Sequence, residues 1–443
     1  MTRWRPASRR RSMPSTDNLL PDGEQEQDNE PRSALSVLGP GLVTGAADDD
    51  PSGIGTYSQV GAQFGYTLSW ALLFSLPLMA AIQEICARVG ASTGVGIAQN
   101  LKEHYPPALL RFMVILLLVA NIFNLGADLG AMGAALALIL PGPVLPATIA
   151  FGVASILLEV FVSYERYASV LKWTTLSLFS YFAVVILAEV DWRSAIIGTM
   201  APSFHVNKDN VMALVAVLGT TISPYLFFWQ AGQEVEEQHR RHVKPLMISP
   251  RTAGAELRRI RTDTLVGMTF SNLTAIMIVI ATAATLHQAG ITQIDSAVQA
   301  AAALRPLAGE LAFALFALGI VSTGLLAVPI LAGSAAYAVA ETFGWNEGLN
   351  RRPQEAKAFY AVIALATLAG VAMNFLDINP MRALYWSAVV NGLLAPPLMI
   401  VTMLIASNRK IMGDLTISGG LAFGGWASTA VMTFVACCHR GTG

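Results

Sequence analysis

The stretch TGAADDDPSGIGTYSQ, Thr44 to Gln59, puts three consecutive aspartates, Asp48, Asp49 and Asp50, inside an otherwise apolar run. Carboxylates so placed can meet a cation or carry a proton, and an acid inside a membrane span is a functional hypothesis by default. Pro51 follows at once. It donates no backbone hydrogen bond and its ring clashes with the preceding turn, so a helix here breaks near Asp50. The groups freed by the break need partners other than lipid. A cation would answer both needs, with Asp50 supplying charge and the unwound carbonyls further oxygens. A second interruption lies in VLGTTISPYLFFWQ, Val217 to Gln230, where Pro224 follows Thr220, Thr221 and Ser223.

The setting for both is lipid. Of 443 residues, 54% are hydrophobic and only 13% charged, with a mean hydropathy of +0.54; soluble domains carry charge on about a quarter of their residues. Nothing basic or aromatic is patterned for nucleic acid, and no cofactor fingerprint is present. Cys86, Cys437 and Cys438 form neither a disulfide framework nor a metal-binding spacing. Residues 1–34, rich in Arg, Pro, Ser, Asp and Glu, read as a disordered tail without the apolar core of an export signal.

Splitting the remaining apolar runs at Gly, Pro and charge clusters predicts an all-α integral membrane protein of about eleven spans. They fall near 36–62, 66–90, 108–140, 143–163, 167–189, 210–232, 263–289, 308–341, 357–375, 381–406 and 417–438. With the N-terminus cytoplasmic, 23 of 28 Lys and Arg residues lie inside, leaving Arg193, Lys208, Arg305, Arg382 and Arg440 outside. That imbalance obeys the positive-inside rule, and the odd span count puts the C-terminus outside. The basic segment 233–262 reads as a solvated cytoplasmic loop.

Spans one and six are each first in their half if residues 35–438 hold two five-helix repeats, about 35–190 and 208–406, plus an extra helix at 417–438. Paired interrupted segments at corresponding positions of two halves point to a transporter's midplane site. An odd repeat length makes the second half inverted.

GPGLVTGAADDDP, SQVGAQFGY, ARVGASTGVGIAQ and the broken sixth span together resemble the Nramp family of divalent-metal transporters, from about Ser33 to Gly425. The resemblance implies a LeuT-type fold, alternating access, a divalent metal substrate, and no catalytic activity. In its terms Asp50 is the metal-binding aspartate, and Gly53 stands where the family has an asparagine ligand. Ser223 replaces a methionine and Tyr225 a histidine, while the carbonyl-donating positions fall on Ala47 and Thr220. Losing the thioether leaves only oxygen donors, which suit Mg2+, Ca2+ or Mn2+ over softer metals. With the asparagine also gone, a wider pocket for a partly hydrated ion is expected. The pattern resembles the magnesium-transporting branch of the family's relatives, with Mg2+ or Mn2+ as cargo.

In the third span Asp128 matches the family pattern, but Ala131 stands where it has a glutamate. With Tyr225 also untitratable near neutral pH, transport without strict H+ symport is expected. Asp49 is a candidate outer-shell group and Asn391 a candidate facing the site, though interhelical hydrogen bonding explains Asn391 better; Asn121, Asn124 and Asn272 read as packing contacts. Glu84 and Arg88 pair one turn apart. The competing readings are a proton-coupled manganese or iron transporter, an amino-acid or amine transporter of the same fold, and an intramembrane aspartyl protease using Asp50 and Asp128. Three carboxylates repel an amino acid, and the Gly-x-Gly-Asp pattern of such proteases is missing. The expected unit is a monomer in a prokaryotic plasma membrane, its partners the bilayer and the metal.

Overall fold

The computed structural model describes residues 39–162, 178–203, 207–349 and 351–441, all helix, turn and loop with no strand among them. The expected tail and residues 167–177 of the fifth span lie outside the described residues.

The first span is two helices, α1 (Pro40–Asp48) and α2 (Pro51–Phe64), with Asp49 and Asp50 between them outside either. Asp50 is extended (φ −67°, ψ 172°) and its side chain accepts from Gly53 N, while Pro51 opens α2. This is an N-cap followed by proline at the first helical position, a combination that starts a new helix. Then come α3 (Ser69–Thr93), α4 (Ile97–His104), α5 (Pro107–Leu136) and α6 (Val144–Phe161). After them are α7 (Phe179–Leu187), the described end of the fifth span, and the short α8 (Trp192–Met200). The sixth span repeats the break: α9 (Lys208–Thr221) and α10 (Pro224–Arg240) are separated by Ile222 and an extended Ser223. The chain continues through α11 (Pro250–Thr282), α12 (Ala312–Phe343), α13 (Lys357–Met373), α14 (Pro380–Ala406) and α15 (Gly419–Gly441).

Among the described residues nine helices are long and apolar enough to cross a membrane, counting α9–α10 as one. The first span is not among them because its halves have 9 and 14 residues. These nine, the broken first span and α7 account for the expected eleven. Phe112, Ile115, Phe161, Ile186, Phe423 and Phe434 are exposed, as a lipid-facing surface requires.

Small residues bring the broken spans close to their neighbours. A Cβ on Gly41 would sit 2.7 Å from Thr264 N, and Gly45 lies directly against the Gly267 backbone, so α1 and α11 touch main chain to main chain. Gly219 of α9 meets the backbone of Ala388 and Gly392 on α14 in the same way. In lipid, where apolar surface has no solvent to escape, such close approach supplies the packing energy.

Loops expected on one side meet one another. Asp209, Asp295 and Arg382 line a common cavity of about 310 Å³ with Gln59 and Gln63, and Arg382 pairs with Asp295 at 2.8 Å. At the other end Gln238 donates to Ala91 O at 2.7 Å, and Arg241 pairs with Glu256 at 2.8 Å. The 233–262 segment is largely exposed, as expected of a solvated loop, but it is more ordered than a plain one. It is helical on both sides of a turn, and Arg241, Glu256, Arg259 and Glu234 tie the two helices together, because their charges fall on facing sides of α10 and α11. Arg88 and Glu84 pair at 2.5 Å, as their spacing predicted.

Candidate functional site

Each proline removes the helical donor of one carbonyl. In an intact helix Ala47 O would accept from residue 51 and Thr220 O from residue 224, and both of those are prolines. The structure brings one of these carbonyls to the acid. The Tyr225 hydroxyl, in the first turn of α10, lies 3.2 Å from Ala47 O and 3.2 Å from Asp50 Oδ2. A hydroxyl has one proton to donate, so two acceptors share it. The other Asp50 oxygen, Oδ1, accepts from Gly53 N at 2.7 Å and Ser52 Oγ at 2.8 Å. Asp50 thus caps α2 with one oxygen and turns the second toward the sixth span.

Thr220 O is not bare. Ser223 Oγ donates back to it at 2.8 Å and lies 3.1 Å from Gly219 O, so the serine closes the frayed turn of α9. The expected roominess at Gly53 is absent in this conformation. A Cβ there would lie 3.1 Å from Asp48 O and 3.4 Å from both Thr220 Oγ1 and the Tyr57 ring, groups that fill the space a side chain would take. Ala47, Asp50, Thr220, Ser223 and Tyr225 are all at most 2% exposed. The site is closed.

Asp128 of α5 is fully buried, and no side chain hydrogen-bonds its carboxylate. The groups acting on it are the Asp50 charge and the Ser52 backbone amide, which places it beside the N-terminus of α2. Asn391 instead donates to Asn124 Oδ1 at 3.2 Å, bridging α14 and α5. Asn121 donates to Leu331 O and Asn272 to Leu72 O, both at 2.9 Å, as packing contacts. Asp49 is engaged by Ser271 of α11 and by none of the donors that hold Asp50.

Sequence reasoning missed several neighbours. Tyr57 lies seven residues beyond Asp50 and four beyond Gly53, a helical spacing that shares their face. Ser334 of α12 donates to Tyr225 O at 2.9 Å and holds the start of α10. Asp263 of α11 accepts from Gly39 N, Gly41 N and Leu42 N at 2.9, 2.8 and 3.1 Å, capping α1 from another helix. Arg259, one turn away, binds Glu234 of α10 at 2.5 Å and Glu256 at 2.8 Å, so the same network anchors both broken spans. Nothing local in the sequence pairs these positions.

Among the described residues no three His, Cys, Asp or Glu side chains converge as a ligand set. A cation at the breaks would be held by one or two carboxylates with carbonyls and hydroxyls, a hard donor set.

The sequence profile described as natural resistance-associated macrophage protein-like matches residues 41–439. The chain belongs to the Nramp family. The divalent metal cation transporter MntH of Acidiphilium cryptum is 27% identical over 403 residues, covering 88% of this chain and 86% of that protein. MntH of Klebsiella pneumoniae subsp. pneumoniae is 25% identical over 407 residues, covering 90% and 92%. In structure this Nramp chain resembles the Eremococcus coleocola manganese transporter with a TM-score of 0.72 at 17% identity, over 94% of this chain and 87% of the other. It also resembles Mhp1, a nucleobase-cation-symport-1 family transporter, with a TM-score of 0.51 at 14% identity, covering 91% and 92%. Those likenesses establish the shared LeuT-type fold with broken first and sixth helices.

Proposed function

We propose that this chain moves divalent metal cations, Mg2+ or Mn2+ and partly hydrated, across the membrane by alternating access, without strict proton coupling. The observation that carries the reading is the shared Tyr225 hydroxyl: a carboxylate oxygen and a proline-freed carbonyl aim at one point where the two broken spans meet. A divalent cation is the species that such a convergence favours over a single proton. On arrival it takes Asp50 Oδ2 and Ala47 O from Tyr225. Thr220 O and Ser223 Oγ form the opposite wall, and Asp128 adds a second negative charge beside α2. Gly53 contributes no side-chain ligand and lets Thr220 and Tyr57 approach. Family membership and the MntH relatives support the divalent class. The donor set, oxygen throughout, supports hard ions, and its hydroxyls can hold retained waters.

Because the site is closed, an ion enters only when α1–α2 and α9–α10 separate on one side. The cavity lined by Gln59, Asp209 and Tyr385 lies at the end of α2 away from Asp50 and is the approach from outside. The Arg259–Glu234–Asp263 network is the inner closure. Charge distribution supports a cytoplasmic N-terminus in a bacterial plasma membrane. The second reading, proton-coupled manganese transport, is favoured by one observation: Asp128, a buried carboxyl that no side chain hydrogen-bonds, stands beside Asp50.

The test is flux into proteoliposomes with Mg2+, Mn2+ and Cd2+ in parallel, with lumenal pH recorded and Asp50→Ala as the comparison. Mg2+ or Mn2+ uptake lost in the variant, with no metal-dependent acidification, is the expected result. A strong Cd2+ preference defeats the hard site. Unaltered flux in Asp50→Ala defeats the assignment, and robust acidification selects the second reading.

A further inference from the structure

Where α11 leaves the apolar part of the chain, its two sides are used differently. One side carries Glu256, Arg259 and Asp263, which pair with Arg241 and Glu234 and cap α1. The other carries Arg251, Arg258 and Arg261, all exposed. Among the described residues none of these three forms an ion pair. Arg240, Arg241 and Arg259 of the same segment are each paired with a glutamate. Three of the segment's arginines thus serve the fold, and three do not.

The alignment of the second three points to a ligand. Arg251, Arg258 and Leu265 follow at intervals of seven, two helical turns each, and Arg261 lies one turn from both Arg258 and Leu265. This stripe runs into side chains that face lipid: Leu265, Val266 and Leu273 are 41%, 42% and 43% exposed on a helix apolar enough to cross a membrane. At 1.5 Å per residue, Arg261 stands about 6 Å and Arg258 about 10 Å beyond Leu265 along the axis. A polar headgroup layer is about 5–7 Å deep on each side of the hydrocarbon, so both guanidinium groups fall at phosphate depth. Arg251 lies further out. Between it and Arg258 the same face is bare, because Gly254 and Ala255 are exposed and a Cβ on Gly254 would meet nothing within 4 Å. The two arginines flank an open saddle.

We propose that this face of α11 binds an anionic phospholipid, with its phosphate at Arg251, Arg258 and Arg261 and an acyl chain along Leu265, Val266 and Leu273. A solvated face needs no register with the lipid-facing residues, and a soluble anion would use the arginines alone. A negatively charged lipid uses both parts of the stripe. Guanidinium groups hold phosphate oxygens through two parallel hydrogen bonds, and basic clusters at the end of a membrane helix attract acidic headgroups. Lipid bound here grips α11 on the side opposite the network that holds α1 and α10. Binding needs only that this end of α11 meets a membrane surface, and it stands whatever cargo the chain carries.

The test uses the full chain in neutral detergent. The unfolding midpoint is followed as phosphatidylglycerol or phosphatidylcholine is added to the micelles. The expected result is a saturable rise with phosphatidylglycerol, absent with phosphatidylcholine and weakened by added salt. A basic residue near an anionic surface is worth about fivefold in affinity, so Arg258→Gln should raise the half-saturating mole fraction about fivefold. Combining Arg251→Gln, Arg258→Gln and Arg261→Gln should abolish saturation; exposed side chains without ion pairs can be replaced at little cost in stability. Arg193→Gln with Lys208→Gln, in α8 and at the start of α9, should leave the response intact. Equal effects of the two lipids overturn the proposal, and so does a response that the triple variant keeps. A response lost equally in the Arg193 and Lys208 variant overturns the assignment to α11. Water-soluble glycerol 3-phosphate giving the same saturable rise overturns the lipid as occupant, since phosphate alone is then recognised.

Discussion

Tyr225→Phe separates two roles for the hydroxyl that bridges the broken spans. It lies within donating distance of Ala47 O and Asp50 Oδ2, both at 3.2 Å. A hydrogen bond to a charged acceptor contributes about 1.5–3 kcal/mol net, and one to a carbonyl about 0.5–1.5. Only one proton is available, so the larger figure bounds the hydroxyl's hold on the empty site. If an arriving cation must displace that hydroxyl, its removal raises the energy of the empty state alone. Affinity then tightens by about tenfold or more, each 1.4 kcal/mol being a decade. If the hydroxyl oxygen is itself a ligand, the sign reverses. Titration calorimetry of Mg2+ and Mn2+ into wild type and Tyr225→Phe, with Asp50→Ala as a non-binding control, reads the sign directly. Tighter binding is the expected result. Weaker or unchanged binding in Tyr225→Phe refutes the displacement argument.

Asp263→Asn replaces a charged acceptor for three α1 amides, a loss of about 2–3 kcal/mol; hydrogen exchange at residues 39–42 should accelerate about 30-fold or more while the centre of α5 stays protected. Gly267→Val puts a side chain into the Gly41 backbone, so the variant should fail to yield folded, monodisperse protein, whereas Gly254→Val, with open space around it, should purify normally. Between α12 and α13, burial first and then the charges of Glu341 and Glu236 push the Glu347 carboxyl from its ordinary 4.5 up to about 9. The folded state therefore holds a proton that the unfolded chain gives up above 4.5, so stability falls as pH rises from about 4.5 toward 9. Glu347→Gln should flatten that part of the unfolding midpoint's pH profile, and an unchanged slope would place the titration elsewhere.

The broken spans and their acid were legible because the causes are local: a proline, a carboxylate, and apolar flanks. Helical spacing would also have added Tyr57. Ser271, Ser334 and Asp263 were not legible, because each lies on an uninterrupted helix and matters only through which helix it faces. In the 233–262 segment the Arg241–Glu256 and Arg259–Glu234 pairs were illegible for the same reason, since only the contact of α10 with α11 brings them together. The filled space at Gly53 was beyond reach too. Deleting a ligand side chain reads as room, yet Thr220 and the Tyr57 ring have moved into it.

Proline by itself does not make these breaks. Pro77, Pro329 and Pro396 lie inside continuous helices, and the residues before them are Leu76, Val328 and Ala395. Pro51 and Pro224 follow Asp50 and Ser223, both of which adopt the extended conformation that N-caps favour. An aspartate or serine can satisfy backbone groups that the break exposes; a leucine, valine or alanine cannot, so there the chain keeps its helix and accepts a bend. The two breaks use this freedom differently. Asp50 caps forward onto Gly53 N and keeps one oxygen for the opposite span, whereas Ser223 bonds backward to Thr220 O and Gly219 O. One half therefore presents charge, the other hydroxyls and a carbonyl. Neither half holds a full ligand set, so a cation is bound well only while the halves are together, and a cargo with that differential affinity is what shifts a conformational equilibrium toward closure.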